Sequence, residues 1–389
     1  EIIAQNEINL VQITREALSG VRLLILDKAH KYFIEKFSKK KFEHDLSNFK
    51  NNFLGHSPKI IMESFGIVLL SGIAFYLISS NYEFLDLLPF FVLIGFGAQK
   101  LLPIFQTLYY SFASIEADYP SLIEVSESCK IKINKNINNP NKTVLKFENH
   151  IKFKNVSFSY NNSKKSLIDV NTIIKFRQKI GIVGHTGSGK STFIDLLMGL
   201  NKPSSGQIFV DDILLNNENI SIWQNNISHV SQTIFISNIS ILNNIAFGLE
   251  NDQIDFNRIK EVTRLMDLKK IIQNLQKGFE STIGEAGIQI SGGERQKIAL
   301  SRALYKKFNV LVLDEATSSL DNKSEEKIIN EIFKLNNKTI IIIAHRLTTV
   351  KNCDIILEFE NGKIINTGTY DYLIKNSPSF REIAKNLKK

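Results

Sequence analysis

Cysteine is scarce in this chain of 389 residues: only Cys129 and Cys353 occur, far apart in the sequence. Two isolated cysteines exclude a disulfide-stabilised small domain, and no Cys or His spacing of a structural metal site is present. The chain as a whole is not strongly apolar either. A hydrophobic fraction of 43% is too low for a whole polytopic membrane protein and too high for a disordered chain.

Acidic residues are in deficit, since 39 Asp and Glu stand against 48 Lys and Arg and leave a net charge of +9. Such an excess can indicate nucleic-acid binding. Much of it lies in the first sixty residues beside an apolar segment, which is typical of the cytoplasmic side of a membrane protein. We therefore expect no nucleic-acid partner. The lysines concerned are Lys28, Lys31, Lys36, Lys39, Lys40, Lys41, Lys50 and Lys59.

Charge is absent altogether from residues 64–82. That length is close to the roughly 20 residues with which a helix crosses the hydrocarbon core. A second apolar stretch, 87–115, holds only Lys100. The acidic loop 81–86 between them predicts that this loop lies outside and that both ends of the pair are cytoplasmic. The alternative is a pair of buried helices in a large soluble protein.

Residues 184–192 fit the phosphate-binding loop pattern, in which four residues separate Gly from Gly-Lys-Ser. An apolar run at 179–183 predicts a strand before the loop, and 192–198 predict a helix after it. Lys190 would reach the β- and γ-phosphates, and the Ser191 hydroxyl would bind Mg²⁺. The alternative is a glycine-rich turn without a ligand. The predicted cradle is Gly184, His185, Thr186, Gly187, Ser188, Gly189, Lys190, Ser191 and Thr192.

A second apolar strand, 310–313, ends in Asp314 and Glu315. In a nucleotide enzyme the first acid supports Mg²⁺ and the second polarises the attacking water as a general base. The alternative is a strand that merely ends in an acidic helix cap. Because the phosphate loop is present as well, we prefer the catalytic interpretation.

The texture of the chain changes near residue 150. Residues 116–149 have no clear period and are interpreted as a linker, in part disordered or helical. Beyond them, strand-like and helix-like segments alternate, which predicts an α/β ATPase domain. Strands are predicted at 151–160, 206–210, 339–343 and 354–359, and helices at 256–274 and 324–335.

Residues 290–296 resemble the Leu-Ser-Gly-Gly-Gln signature of the ABC ATPases, and the resemblance extends over 150–389. Four further elements follow the order of that family. Tyr160 is similar to the adenine-stacking aromatic, Gln232 to the Q-loop glutamine, Asp321 to the D-loop acid and His345 to the switch histidine. Each alone has an ordinary structural alternative.

The resemblance implies ATP and Mg²⁺ as cofactors and a site shared between two subunits. It implies catalytic roles for Glu315, His345, Gln232 and Lys190, and metal contacts for Ser191, Gln232 and Asp314. It implies nucleotide contacts for Tyr160, the loop 184–192, Gln232, Ser291, Gly292, Gly293 and Asp321. Ile290 and Glu294 depart from the signature, and Glu294 would add negative charge near the opposing nucleotide if it pointed inward. We expect Ser291 and Gly293 to carry that contact.

Residues 282–287 resemble the X-loop of ABC exporters, and apolar helices lie upstream on the same chain. The fold class implied is an α-helical transmembrane region, the last two membrane helices of an exporter bundle, followed by an α/β P-loop ABC ATPase domain. The first four membrane helices would precede this segment, so an N-terminally truncated half-transporter is expected. The expected parts are a cytoplasmic helix in 1–52 with a coupling turn near 29–37, membrane helices at 53–82 and 86–115, a linker at 121–149 and the nucleotide-binding domain at 150–389.

The implied function is an ATP-hydrolysing exporter or flippase subunit in the inner (plasma) membrane, multi-pass, with its ATPase domain in the cytoplasm. Its implied partners are a second half-transporter, membrane lipid and an amphiphilic cargo. Residues 58–63 and 101–103 are similar to lipid-linked oligosaccharide flippases, which makes a lipid-linked sugar one candidate cargo. Peptides, other lipids and drug-like molecules stay open. The rival hypotheses are a soluble ABC ATPase that acts without transport and a defective fragment.

Overall fold

The computed structural model describes residues 2–80, 84–130, 145–160, 165–284, 290–343 and 347–386. The chain divides into two compact units, Glu1–Ile133 and Asn134–Lys389. The division falls within the predicted linker, 121–149.

The described part of the first unit is helical. Helix α1 spans Ile2–Ser19, α2 Val21–Leu26, α3 His30–Ser79 and α4 Phe84–Lys130. Helix α3 alone holds 50 residues, a length of about 75 Å at 1.5 Å per residue. It therefore joins the lysine-rich segment that contains Lys36, Lys41 and Lys50 and most of the first apolar stretch, 64–82, in one continuous element.

Two boundaries differ from the sequence-based expectation. The turn between α2 and α3 falls at residues 27–29, where Lys28 adopts φ 52°, whereas 30–37 of the predicted coupling turn are helical. Helix α4 continues to Lys130, ten residues into the predicted linker. Pro89, Pro103 and Pro120 lie inside α4, and each removes a backbone hydrogen-bond donor without ending the helix.

Two segments of these helices are long and apolar enough to cross a membrane, Ile60–Leu77 in α3 and Phe91–Lys130 in α4. Neither segment is buried within the structure. Large apolar side chains such as Phe65, Val68 and Leu93 are more than 65% exposed. Apolar surface on this scale needs a cover of lipid or of other helices.

The described part of the second unit contains two sheets. The antiparallel sheet has the order β2-β1-β4-β5 and the other sheet has the order β10-β9-β3-β8-β7-β6, parallel except that β10 runs antiparallel to β9. The strands are β1 His150–Phe158, β2 Leu167–Lys175, β3 Lys179–Gly184, β4 Ser205–Val210, β5 Ile213–Leu214, β6 Ile227–Val230, β7 Val310–Asp314, β8 Thr339–Ile343, β9 Ile355–Glu360 and β10 Lys363–Gly368.

Helices cover the parallel sheet. The single helix predicted at 256–274 is wrong, because the chain breaks after Leu265 and Asp267 adopts φ 53°, outside the right-handed helical region. The helices are α5 Lys190–Leu197, α6 Ile220–Asn225, α7 Ile241–Ile245, α8 Phe256–Leu265, α9 Lys269–Asn274, α10 Gly292–Tyr305, α11 Asn322–Phe333, α12 Leu347–Lys351, α13 Tyr370–Asn376 and α14 Pro378–Asn386, with 3-10 turns at Asn251–Gln253 and Gly278–Glu280.

The parallel strands are buried on both faces, which is why they appear in the sequence as continuous apolar runs. In β8, for example, Ile341 and Ile343 join one core cluster, and Ile340 and Ile342 join the other. The first cluster lies between the two sheets and includes the fully buried Trp223, whose Nε1 donates to the Leu197 carbonyl oxygen at 2.7 Å. Because β3, β6, β7 and β8 are parallel, the loops that follow them meet at one edge of the sheet.

Candidate nucleotide-binding site

The phosphate loop after β3 requires glycine at defined positions. Gly184 has φ 151°, and a Cβ there would lie 2.2 Å from the Phe359 carbonyl oxygen. Gly189 has φ 103°, and its Cβ would lie 2.7 Å from the Ser166 carbonyl oxygen. Any side chain at these two positions would collide with the backbone of neighbouring segments, so the sequence pattern is explained by packing and by conformation.

Lys190 lies at the first position of α5 and folds back over the loop. Its Nζ donates to the carbonyl oxygens of Gly184 at 2.8 Å and His185 at 2.9 Å. Burial lowers the pKa of Lys190, and the negative charges of Glu315 and Asp314 oppose that shift. A partly desolvated ammonium group at a helix N-terminus is suited to holding a phosphate.

Ser188 adds a buried hydroxyl to the loop. Its side chain is 5% exposed, and its Oγ has no hydrogen-bond partner among the described residues. A buried hydroxyl without a protein partner is rare. A phosphate oxygen would satisfy it, so the loop as built fits such a ligand.

A cavity of about 610 Å³ opens beside the loop, within the size range of small-molecule sites. Part of its wall was not predicted: Lys165 and Ser166 face Asn361 and Gly362 there. The amide of Ile168 donates to the Gly362 carbonyl oxygen at 2.8 Å. The amide of Gly362 donates to the Ser188 carbonyl oxygen at 3.0 Å. The Asn-Gly pair is a turn signal that could have located this wall. The remaining lining is Ile168, Thr186, Gly187, Gly189, Lys190, Ser191, Thr192, Gln232 and Glu315.

The acidic edge of the cavity is formed by the residues after β6 and β7. Gln232 donates from Nε2 to Oε2 of Glu315 at 2.7 Å, so its amide oxygen faces away from that carboxylate. Glu315 adopts φ 50°, a conformation that a non-glycine residue rarely takes and that is often found at active sites. Asp314 ends β7 directly before it.

Tyr160 follows β1 and lies against the start of α5. Its hydroxyl is 3.5 Å from Oγ1 of Thr192, and its ring packs edge-on against Phe158 with a centroid distance of 4.8 Å. Burial raises the pKa of Asp195, and a hydrogen bond from Tyr160 opposes that shift. Tyr160 is 44% exposed.

The signature segment begins α10 with a capping box. Ser291 is the N-cap residue; its Oγ accepts from the Glu294 amide at 3.3 Å, and Oε2 of Glu294 accepts from the Ser291 amide at 2.7 Å. The carboxylate of Glu294 is therefore engaged by its own helix terminus. Since Gln forms the same box, the departure from the signature preserves the local geometry.

Gln296 is a residue that the motif comparison missed. It is 2% exposed, and its side chain hydrogen-bonds to Ser318 and to the backbone amide of Ser319. Its spacing from Ala299, Leu300 and Ala303 on the buried face of α10 is the signal that could have found it, because a polar residue in that stripe needs partners.

The structure brings part of the predicted constellation together. Lys190, Ser191, Thr192, Gln232 and Glu315 share one cavity. Ser291, Gly292, Gly293 and Asp321 do not line it. Asp321 caps α11, since its Oδ2 accepts from the Ser324 amide at 3.0 Å, and the hydrogen bonds of Ser324 lower its pKa. His345 lies outside the described residues.

A parallel sheet with a phosphate loop after β3, an acidic pair after β7 and a capped glycine signature on α10 together define an ABC-type nucleotide-binding domain. Comparison with known proteins agrees. Residues 167–318 match the family model described as ABC transporter.

The relatives extend the match to the first unit. The chain is 39% identical over 235 residues, 60% of its length, to the ATP-dependent lipid A-core flippase of Coxiella burnetii, of which it covers 40%. It is 30% identical over 387 residues to the ATP-dependent lipid A-core flippase of Legionella pneumophila (strain Paris), which is 97% of this chain and 63% of the relative. A third relative is the Beta-(1-->2)glucan export ATP-binding/permease protein NdvA of Agrobacterium vitis. The two sequences are 39% identical over 236 residues, which is 60% of this chain and 40% of the relative.

The fold agrees over the whole chain. A bacterial Atm1-family ABC exporter with ATP bound superposes with a TM-score of 0.86 at 23% identity, over 100% of this chain and 69% of that structure. The expected fold class and the resemblance to exporter-type ABC half-transporters are thereby confirmed. The chain spans between about two fifths and two thirds of the length of these three relatives.

Proposed function

We propose that this chain is part of an ABC exporter or flippase subunit that couples ATP binding and hydrolysis to movement of an amphiphile across a membrane. The observation that carries the proposal is the hydrogen bond of Gln232 to Glu315 at the edge of the phosphate-loop cavity. It supports the proposal that Glu315 accepts the proton of a water that attacks the γ-phosphate. Lys190 holds the phosphate group, and Gln232 orients the base.

The residues present also fit Mg²⁺. The Ser191 hydroxyl, the Asp314 carboxylate and the Gln232 amide oxygen are hard oxygen donors, which this cation prefers. When bound, Mg²⁺ would neutralise charge on the β- and γ-phosphates. We assign these three residues as its ligands, with Asp314 acting through water.

The signature residues lie outside the cavity of their own chain, which supports a dimer with composite sites. Ser291, with Gly292 and Gly293, would contact the nucleotide held by the phosphate loop of a second half-transporter, and Asp321 would lie at the same interface. ATP would then join the two ATPase domains, and hydrolysis would release them.

The apolar stretches of helices α3 and α4 would lie in the membrane, with the ATPase domain in the cytoplasm. The lysines in the first sixty residues and the lack of Lys or Arg at 81–86 support that orientation. We propose the inner (plasma) membrane as the location. The proposed parts are the cytoplasmic helix 1–52, membrane helices near 53–82 and 86–115, a linker within 121–149 and the nucleotide-binding domain 150–389.

Lys100 suggests the charge of the cargo. It is the only charged residue between residues 87 and 115, and an ammonium group is expensive at that depth unless it faces a cavity or a partner. We propose that it meets an anionic group of the cargo, such as the phosphate of a lipid-linked sugar. Two relatives are flippases of lipid A-core and a third exports a glucan, which supports cargo of the glycolipid class.

The test is the ATPase activity of the chain in lipid nanodiscs, titrated with lipid-linked oligosaccharides, neutral lipids and peptides. We expect stimulation by anionic glycolipids, loss of that stimulation in Lys100→Gln and retention in Lys100→Arg. Stimulation by peptides alone, or an equal response of Lys100→Gln, would refute the cargo assignment. Protein found in the soluble fraction without detergent would favour the rival hypothesis of a soluble ABC ATPase.

A further inference from the structure

One buried side chain joins the signature helix to the segment that follows Glu315. Gln296 lies in the second turn of α10 and is 2% exposed. Its Nε2 donates to Oγ of Ser318 at 3.1 Å, and its Oε1 accepts from the backbone amide of Ser319 at 2.9 Å. The amide group thus binds two consecutive residues with its donor and its acceptor at once.

On one side this link reaches the proposed general base. The Ser318 amide donates to the Glu315 carbonyl oxygen at 3.2 Å. Glu315 in turn accepts from Gln232. Any displacement of 318–319 relative to α10 therefore acts on the turn that sets the conformation of Glu315.

On the other side the link reaches the signature glycines. A Cβ at Gly293 would lie 3.3 Å from the Ser319 carbonyl oxygen, and one at Gly292 would lie 3.5 Å from the Ser319 Cβ. The start of α10 thus rests directly on the backbone of Ser319. Packed contacts of this kind transmit a shift because they cannot absorb it.

We propose that Gln296 is a positioning residue that couples the two ATP sites of the dimer. It holds the signature, which serves the nucleotide of a second copy, in register with this copy's own Glu315. The inference rests on the proposed function, since it requires composite sites. Gln296 itself contacts neither nucleotide nor attacking water, and it acts through Ser318 and Ser319.

Two substitutions separate this role from bulk packing. Gln296→Met keeps the size of the side chain and removes both hydrogen bonds, which leaves the Ser319 amide without its side-chain partner. Gln296→Glu keeps the acceptor for the Ser319 amide. Its second carboxylate oxygen can accept from the Ser318 hydroxyl, so the hydrogen bond with Ser318 is kept with its direction reversed. Gln296→Glu is therefore the matched control that should restore what Gln296→Met loses.

The first measurement does not depend on hydrolysis. Hydrogen–deuterium exchange of the whole chain should show faster exchange in Gln296→Met for both 318–320 and 291–295, with near wild-type rates in Gln296→Glu. Unchanged exchange in either segment of Gln296→Met would overturn the link. The exchange result tests the link through Gln296 even if the chain does not hydrolyse ATP. Absence of ATP hydrolysis would contradict the proposed function and not this link.

The second measurement is turnover in mixed dimers of two differently tagged copies, one of which carries Glu315→Gln so that a single site hydrolyses. Gln296→Met should lower kcat about tenfold, the scale of one lost intramolecular hydrogen bond, and change the ATP affinity less than about twofold. The loss should appear whether Gln296→Met is on the copy that supplies the signature or on the copy that supplies Glu315. A loss in one arrangement only, or equal turnover of Gln296→Met and Gln296→Glu, would overturn the coupling.

Discussion

At the scale of single residues, the charges of this site are set by their immediate neighbours. Lys190 is desolvated, yet it has Asp314 and Glu315 close to it. Glu294, which from the sequence alone could have repelled a nucleotide, binds the Ser291 amide instead. Electrostatic roles therefore follow from hydrogen-bond partners and not from residue type.

Tyr160 carries the prediction for nucleotide affinity. Its hydroxyl lies 3.5 Å from Oγ1 of Thr192, and the residue is 44% exposed. Stacking of an aromatic ring on a base contributes about 1–3 kcal/mol. We expect Tyr160→Ala to weaken ATP binding about tenfold or more, with a smaller effect on turnover at saturating ATP. Tyr160→Phe keeps the ring and should stay within about threefold. Titration calorimetry checks this, and unchanged affinity in Tyr160→Ala would remove Tyr160 from the site.

Asp195 carries the prediction for pH dependence. Burial raises its folded-state pKa above the ordinary value of 3.8, so its contribution to stability is fully present below that value and is lost as the pH rises through the folded pKa. Asp195→Asn cannot ionise and still offers an oxygen to Tyr160. We expect the variant to be more stable than wild type at pH 7 and equal to it below about pH 3.8.

Chemical unfolding between pH 3.5 and 7, followed by the fluorescence of the single tryptophan, Trp223, measures that difference. Trp223 is fully buried in the ATPase domain, so it reports on the unit that contains Asp195. A stability difference that does not change with pH would contradict the assigned cause.

At the scale of elements, the phosphate loop is held by its neighbours as much as by its own glycines. Gly184→Ala would place a methyl group 2.2 Å from the Phe359 carbonyl oxygen of β9. We expect its unfolding free energy to fall by more than about 3 kcal/mol. Nucleotide binding should be lost with it.

Gly187→Ala is the matched control for that change. Gly187 also has positive φ, 79°, but a Cβ there meets nothing within 4 Å. Only the conformational penalty of about 1–2 kcal/mol applies. Equal destabilisation of the two variants in denaturant unfolding would show that strain, and not the contact with β9, decides the loop.

At the scale of the whole molecule, Glu315→Gln tests the composite site. The variant keeps a partner for Gln232 and loses the base, so turnover should fall at least about 100-fold while ATP affinity changes less than about twofold. Because ATP persists, the variant should accumulate as a dimer with ATP and Mg²⁺, visible in mass photometry. Normal turnover would refute Glu315 as the base. Glu294→Gln makes the same chemical change within a capping box that Gln also forms, and it should stay within about threefold of wild-type turnover.

The sequence by itself determined what depends on local pattern. The length of two apolar stretches with at most one charge each predicted two helices able to cross a membrane. Glycine spacing predicted the phosphate loop, and the order of motifs indicated the ABC family. Tertiary structure alone decided what depends on partners distant in the chain: the cavity wall at Asn361 and Gly362, and the link from Gln296 to Ser319. Periodicity and motif spacing report on neighbours within a few residues, whereas these contacts form only once the parallel strands bring separate loops to one edge of the sheet.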